Sequence, residues 1–195
     1  LYEQLAIRDI QEAADVLRSV YEKTNYRDGY VSLEVSPFVA HDTQGTIQEA
    51  RRLSKKIQRE NVMIKVPATP QGLPAIEQLI SEGICVNVTL LFAQNVYEQV
   101  TRAYLSGLEN AAAKGLELSK IASVASFFVS RIDSILEPII STRLKTSTTL
   151  VEATLLKSIM GKVAIANAKL TYQRYKEIFH GESWQTLTQK GAQTQ

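Results

Sequence analysis

The sequence predicts an α/β fold in which about four parallel strands alternate with helices. Two observations lead to this fold class. Four short apolar runs, each bounded by turn residues, alternate with longer stretches whose apolar residues recur at helical spacing. Consecutive runs begin about 30 residues apart, which is the repeat expected of strand–helix units. Residues 1–195 are therefore expected to form one domain.

The composition fits a globular protein, with 45% hydrophobic and 22% charged residues and a net charge of +2. Lys and Arg are scattered, so no nucleic-acid partner is expected. No apolar run approaches the ~20 residues of a membrane-spanning helix, so no membrane partner is expected. Residues 1–17 also lack the layout of a signal peptide. Cys85 is the only cysteine, which excludes an intrachain disulfide and a cysteine-based zinc site and fits a reducing cytoplasm.

The first part of the chain predicts a helix, a strand and a second helix. Residues 1–24 set apolar side chains at helical spacing opposite a charged face. Residues 30–36 alternate between aliphatic and polar side chains, with Glu34 on the polar side, and Pro37 closes this strand. Residues 46–59 form the next amphipathic helix.

The second predicted strand carries a lysine inside an apolar run. In residues 62–66, alternation places Lys65 on the face opposite the main aliphatic set. Lysine is rarely buried without a partner or a function. A helix is expected at 73–82, since Pro74 suits a first helical turn and Gly83 suits the position after the last one.

Two more strands follow, at 84–90 and 121–129, separated by a helix at 93–114. Alternation in the first of these strands predicts one aliphatic face made of Ile84, Val86, Val88 and Leu90.

The end of the chain predicts extra helices. Residues 131–140 look helical, residues 142–149 are polar and rich in threonine, and residues 151–179 read as one long helix. Ser183 is a candidate N-cap of a last short helix. The polar tail, 189–195, is expected to fray.

Polar side chains recur at one relative position in all the strands. They lie in the C-terminal half of each strand, on the face opposite the aliphatic residues, and are Glu34, Lys65, Asn87, Thr89 and Ser126. In a (β/α)₈ barrel, the inward residues at the C-terminal strand ends are where catalytic groups sit. The alternative is that Glu34 and Lys65 form a structural ion pair while the other side chains satisfy backbone groups.

An inward lysine without a metal-binding or cofactor motif indicates Schiff-base chemistry. Lys65 would attack a ketone, and the iminium would serve as the electron sink for breaking a carbon–carbon bond. No cofactor and no metal are therefore expected. Glu34 is the available carboxylate for proton transfer, and Thr89 could hold a water between the two. Arg131, just after the fourth strand, could bind a phosphate, or could be an ordinary exposed arginine.

Five sequence blocks carry a resemblance to the transaldolase family, most of all to its longer bacterial branch. The blocks are SLEVSP at 32–37, NVMIKVPATPQGL at 61–73, GICVNVTLLF at 83–92, SFFVSRID at 126–133 and VAIANAKLTYQRY at 163–175. The resemblance implies a (β/α)₈ TIM barrel of the class I aldolase type and sugar-phosphate substrates. It implies the Schiff-base lysine at Lys65, the acid/base glutamate at Glu34 and the threonine of a water relay at Thr89.

The same resemblance implies the substrate-binding residues. Asn87 and Ser126 match contacts to substrate hydroxyls, and Arg131 matches a phosphate-binding arginine. A sister branch of simple sugar-phosphate aldolases has tyrosine where this chain has Phe128, and it lacks the asparagine that corresponds to Asn87. Both differences favour transfer of a ketone unit over plain aldol cleavage.

The chain is shorter than the ~250 residues of a complete barrel, so the resemblance implies a partial one, with barrel strands three to six plus extra C-terminal helices. The family's catalytic aspartate, a substrate-binding asparagine and a second phosphate arginine fall outside it. The implied activity moves a dihydroxyacetone unit from sedoheptulose 7-phosphate to glyceraldehyde 3-phosphate, in the pentose phosphate pathway. The alternatives are a fructose-6-phosphate-type aldolase and an inactive fragment that self-associates through exposed sheet edges.

Overall fold

The computed structural model describes residues 1–195 except the side chain of Ser183. The expected N-cap at Ser183 is wrong, because the last helix begins at Glu182 and has Gly181 at its N-cap position. The elements in chain order are α1 (Tyr2–Lys23), β1 (Val31–Glu34), α2 (Thr43–Ile57), β2 (Val62–Pro67), α3 (Gly72–Ser81), β3 (Val86–Leu91), α4 (Gln94–Ala113), β4 (Ser123–Phe127), α5 (Ser130–Thr146), α6 (Leu150–Ile159), α7 (Val163–Phe179) and α8 (Glu182–Gln189).

In the described residues, the strands form one sheet in the order β1-β2-β3-β4. All neighbouring strands are parallel, which confirms the predicted α/β class with strands in sequence order. The register pairs Glu34 with Lys65, and Lys65 with Asn87. Within this part of the chain, β1 and β4 each pair on one side only, so they are the edges of the sheet.

One face of the sheet packs against the helices and holds the main core. Val66, Val86 and Val88 are fully buried there, as expected when helices cover one face of a parallel sheet. The two helices α3 and α4 pack side by side over this face. A Cβ added at Gly107 on α4 would lie 2.7 Å from the Ile80 Cβ on α3. Glycine therefore allows the two helices to approach closely.

Strand β3 departs from the predicted alternation at its C-terminal end. Leu90 was expected on the aliphatic face, but it adopts a left-handed backbone conformation, with φ of 61°, and its side chain is exposed. Leu91 is fully buried instead. The register between β3 and β4 shifts between Val88 and Leu91, as it does at a β-bulge, where one extra residue reverses the facing of those that follow.

The helices after β4 also differ from the predicted boundaries. Helix α5 does not end near residue 140 but continues to Thr146, whose hydroxyl donates to the carbonyl of Thr142 at 3.3 Å. The predicted long helix at 151–179 is two helices, α6 and α7. They separate at Gly161, which has a positive φ of 66° that a helix cannot contain.

The polar tail is held against the protein, so the expected fraying is wrong. The side-chain amide of Gln193 donates to the main-chain carbonyl of Ser119 at 2.6 Å, and the main-chain carbonyl of Gln193 accepts from the Tyr104 hydroxyl at 2.8 Å. Gln195 donates to the Ser123 hydroxyl, at the start of β4, at 2.9 Å. Among the described residues, no helix combines the length and the apolar character needed to cross a bilayer.

Candidate active site

Strand β2 presents Lys65 on the face of the sheet that the helices leave free. Every residue of β2 is buried except Lys65. Its neighbours Ile64 and Val66 lie in the core with the helices, so alternation directs Lys65 to the opposite side. We refer to this side as the polar face. The sequence placed Lys65 there correctly.

Glu34 lies beside Lys65 on the polar face. It is the last residue of β1 and pairs in register with Lys65, and its Oε2 lies 3.7 Å from the lysine Nζ. The side chains of Lys65 and Glu34 are 30% and 50% exposed. An ion pair this accessible typically contributes about 0–1 kcal/mol to stability. This argues against the structural alternative, and it leaves an amine and a carboxylate together within reach of a ligand.

Asn87 joins two serines across the polar face. The Ser126 hydroxyl donates to Asn87 Oδ1 at 2.7 Å, and Asn87 Nδ2 donates to the Ser32 hydroxyl at 3.1 Å. The predicted pair Asn87 and Ser126 is thus brought together. Ser32 was missed by the sequence reasoning, although its position two residues before Glu34 puts it on the same face of β1.

Thr89 lies two residues after Asn87 and is almost completely buried. The bulge at Leu90 begins directly after it. Among the described side chains, the Thr89 hydroxyl makes no hydrogen bond with Lys65 or Glu34. A relay through this hydroxyl would need a bridging water, so the role of Thr89 stays a prediction.

Phe128 and Arg131 form a stack at the C-terminal end of β4. The Arg131 guanidinium lies 4.7 Å from the centre of the Phe128 ring, within the range of a cation–π contact. The Phe128 ring also stacks on the Phe92 ring, with centroids 5.0 Å apart and planes inclined by 25°. Arg131 is exposed in the first turn of α5, where the helix dipole favours an anion. The sequence reasoning did not predict a role for Phe92, although this residue ends the block GICVNVTLLF that carries the resemblance.

Towards the N-terminal strand ends, the residues on the polar face are apolar instead of charged. Met63, Cys85 and Ala122 form a small buried cluster there, with Tyr30 packed against it. We call these three residues the lower layer, and Glu34, Lys65 and Asn87 the upper layer. Burial raises the pKa of the Cys85 thiol to about 11, so this thiol is a packing group rather than a nucleophile.

The geometry agrees with comparisons to known proteins. The sequence model of the family described as Transaldolase/Fructose-6-phosphate aldolase matches residues 1–194. This chain belongs to that family. Members of the family fold as TIM barrels, and the parallel sheet with its extra C-terminal helices fits part of such a barrel. The predicted partial barrel is thereby confirmed.

Curated transaldolases are similar over all or nearly all of this chain. The protein named Transaldolase from Trichodesmium erythraeum is 52% identical over 195 residues, covering 100% of this chain and 51% of that protein. Transaldolase 2 of Nostoc punctiforme is 55% identical over 197 residues, with the same coverage of 100% and 51%. Transaldolase 1 of Streptomyces avermitilis is 50% identical over 187 residues, covering 96% and 47%. The chain thus spans about half the length of the curated relatives it matches.

Proposed function

We propose that this chain supplies the Schiff-base nucleophile and its acid/base partner to a transaldolase. The proposed reaction moves a dihydroxyacetone unit from sedoheptulose 7-phosphate to glyceraldehyde 3-phosphate, as in the pentose phosphate pathway. The observation that carries the proposal is the pairing of Lys65 with Glu34, 3.7 Å apart on the polar face of the sheet. Membership of the transaldolase/fructose-6-phosphate aldolase family supports it.

The first step is formation of an imine. A proton passes from the Lys65 ammonium to Glu34 and frees the amine, which forms a bond to the ketone carbon. A proton then moves from the nitrogen to the former carbonyl oxygen, which becomes a hydroxyl. Glu34 then protonates this hydroxyl, which leaves as water as the C=N⁺ double bond forms. The carboxylate lies one strand away from the amine and is itself half-exposed, so it can reach a leaving group bound to the lysine.

The second step breaks the bond between the two carbons that follow the iminium carbon. Its electron pair moves towards the positively charged nitrogen and leaves an enamine on Lys65, while the hydroxyl of the departing carbon loses its proton to a base and becomes an aldehyde. In transfer, the enamine attacks the aldehyde carbon of the acceptor and makes the new carbon–carbon bond, while the aldehyde oxygen takes the proton from the base and becomes a hydroxyl. Water then hydrolyses the iminium and frees the lysine.

We further propose roles for the substrate-binding residues. Asn87 and Ser126, joined at 2.7 Å, would contact hydroxyls of the donor next to the carbonyl carbon. Arg131 would bind the phosphate, helped by its position in the first turn of α5. Phe128, an apolar ring beside this arginine, would exclude water that could protonate the enamine prematurely. This arrangement supports transfer over plain aldol cleavage, which is the second candidate function.

Reduction of the imine tests the proposed nucleophile. The 195-residue chain is incubated with fructose 6-phosphate and borohydride, and the intact mass and the modified peptide are measured. We expect a reduced adduct on Lys65, none in Lys65→Ala, and an unchanged adduct in Lys157→Ala, which removes an exposed lysine of α6. An adduct of equal yield in Lys65→Ala would refute the assignment.

A kinetic comparison separates the candidate activities. A transferase releases product efficiently only when an acceptor aldehyde is added, whereas an aldolase releases dihydroxyacetone without one. We expect the 195 residues alone to form the imine but to transfer little, because the resemblance puts the family's catalytic aspartate and second phosphate arginine outside them. Full acceptor-independent turnover would favour the aldolase.

We also propose that the 195-residue polypeptide self-associates through its sheet edges. Within the described residues, β1 and β4 each leave one row of backbone groups unpaired, and such edges are templates for another strand. Two copies that pair the β1 edge of one with the β4 edge of the other would satisfy both. Sedimentation at micromolar concentration tests this, and a monomer of 21.7 kDa would contradict it.

A further inference from the structure

The Asn87 side chain is held at both of its polar ends. Its Oδ1 accepts from the Ser126 hydroxyl at 2.7 Å, and its Nδ2 donates to the Ser32 hydroxyl at 3.1 Å. Ser32 is on β1 and Ser126 is on β4, so the amide of Asn87 links both edge strands of the sheet through β3. Neither serine makes another side-chain hydrogen bond among the described residues. Within the described residues, each hydroxyl thus has this amide as its side-chain partner.

The bond from Asn87 to Ser32 passes beneath the nucleophile. Ser32 pairs in register with Met63, whereas Asn87 pairs with Lys65, and both bonded residues flank β2. A hydrogen bond between them must therefore cross β2 between the side chains of Met63 and Lys65. It separates the lower layer of the polar face from the upper layer, directly on the N-terminal side of the amine.

Open space lies beside the Asn87 amide. Ser32 and Asn87 line a cavity of about 410 Å³, together with Tyr30 and Met63 on the N-terminal side. An amide beside open space is free to rotate unless hydrogen bonds fix it. The two serines supply those bonds, and the loss of either one would release one end of the amide.

We call these two hydrogen bonds the clamp on Asn87. The clamp leaves part of the hydrogen-bonding capacity of the amide unused. A carboxamide has two N–H donors and two acceptor lone pairs, and the serines occupy one of each. One donor and one lone pair of Asn87 remain. Because Asn87 pairs in register with Lys65, they lie next to the place where a ketone carbon would bond to the lysine.

We propose that Ser32 is a positioning residue that orients Asn87 towards a hydroxyl on the carbon adjacent to the carbonyl that Lys65 attacks. The inference rests on the proposed function and deepens it, because it assigns preference for α-hydroxy ketones to a residue that touches no substrate. Ser32 acts through Asn87 and takes no part in proton transfer. Loss of its hydroxyl weakens recognition of the hydroxyl group and leaves recognition of the ketone group intact.

The test compares two ketones that differ only in their hydroxyls. Imine trapping with borohydride is measured against dihydroxyacetone and against acetone, for the wild-type chain, Ser32→Ala, Ser32→Thr and Ser123→Ala. The last variant removes a serine hydroxyl from β4 that bonds Gln195 and not Asn87. Circular dichroism and the urea midpoint check that each variant folds.

We expect Ser32→Ala to raise the half-saturating concentration of dihydroxyacetone about 10-fold, the effect of losing one well-placed hydrogen bond, with acetone unchanged. Ser32→Thr keeps a hydroxyl and should recover most of the difference, and Ser123→Ala should behave as wild type. Equal losses for both ketones, no loss for either, or no recovery in Ser32→Thr would each overturn the proposal.

A second measurement does not depend on trapping. The side-chain NH₂ signals of Asn87, assigned with Asn87→Asp, are followed by hydrogen exchange in the wild-type chain and in Ser32→Ala. We expect exchange at least about 10-fold faster in Ser32→Ala, since one of its two anchoring hydrogen bonds is gone. If the wild-type chain traps neither ketone, the proposed function fails. Unchanged hydrogen exchange of the Asn87 amide in Ser32→Ala would overturn the positioning role of Ser32 by itself.

Discussion

The lower and upper layers lie on the same face of one sheet but differ in burial and charge. In the lower layer, Met63, Cys85 and Ala122 are buried together, and the Cys85 thiol is kept neutral by its surroundings. In the upper layer, Lys65 and Glu34 are partly exposed and lie 3.7 Å apart. Met63 and Lys65 are two residues apart on β2, so the change from a buried to a partly exposed side chain occurs within two residue positions.

Under the proposed function, this difference separates the residues that stabilise the sheet from the residues that react. Buried apolar side chains stabilise through area removed from water, whereas accessible charges contribute little to stability and remain available to a ligand. In the proposed enzyme, the N-terminal strand ends would hold the sheet together and the C-terminal ends would carry the reaction. The comparison predicts that changes in the upper layer alter imine formation and changes in the lower layer alter unfolding.

The largest effect is expected from Glu34→Gln in the upper layer. This change keeps the shape of the side chain but removes the acid/base group, so imine formation at Lys65 should slow by ~10²–10⁴-fold. The free energy of unfolding should hardly change, because the carboxylate is half-exposed. A borohydride trapping time course measures the rate, with Glu109→Gln, on the exposed side of α4, as the control. If Glu34→Gln formed the imine at the wild-type rate, another group would have to transfer the proton.

Met63→Ala in the lower layer should do the opposite. Truncating a buried methionine costs about 2–5 kcal/mol of unfolding free energy, through lost burial and a cavity. Imine formation under native conditions should remain within a factor of two or so, since Met63 touches no reacting group. Urea unfolding and trapping are measured side by side. Val124→Ala, on the same face but exposed, is the control and should cost less than about 0.5 kcal/mol. Clearly slower imine formation in Met63→Ala would contradict this prediction, because it would show that the lower layer also supports the reaction.

Cys85 makes the lower layer sensitive to alkaline pH. Burial holds its thiol pKa at about 11, above the ordinary value of 9.0, so the folded state keeps the proton longer than the unfolded state. This contribution to stability is complete below about pH 9 and is lost as the pH rises towards 11. At pH 8 the folded chain should contain about 100-fold less thiolate than the unfolded chain. Iodoacetamide labelling measures this, and the single cysteine makes the signal specific. Rapid labelling of the folded chain would show that the lower layer is open.

The smallest effect is expected from Phe128→Tyr at the edge of the upper layer. The added hydroxyl could hold a water near the enamine and favour its protonation over transfer. One hydrogen bond of about 1 kcal/mol corresponds to roughly a 5-fold rise in dihydroxyacetone released without an acceptor. Phe92→Tyr, which changes the other ring of the stack, is the matched control. Equal rises in both variants would attribute the effect to disturbed stacking.

The sequence by itself determined which side of a strand a residue faces wherever the strand is regular. Alternation is a property of the strand backbone, with a period of two, and it needs no knowledge of neighbouring strands. It placed Glu34, Lys65 and Asn87 on one face and the aliphatic residues under the helices. Apolar residues at helical spacing likewise predicted a helix between consecutive strands, and the alternation of strands and helices predicted a parallel sheet. These signals are local, so they survive in a single sequence.

Only the tertiary structure decided how the strands meet and what holds their side chains. The bulge at Leu90 reverses the end of β3, and this irregularity arises in its pairing with β4. The contact of Asn87 with Ser32 joins residues 55 positions apart, and that of Gln193 with Ser119 joins residues 74 apart. Such contacts depend on register and on packing between elements that are distant in sequence. No local pattern encodes these distances, which is why the predicted fraying of the tail was wrong and the clamp on Asn87 was missed.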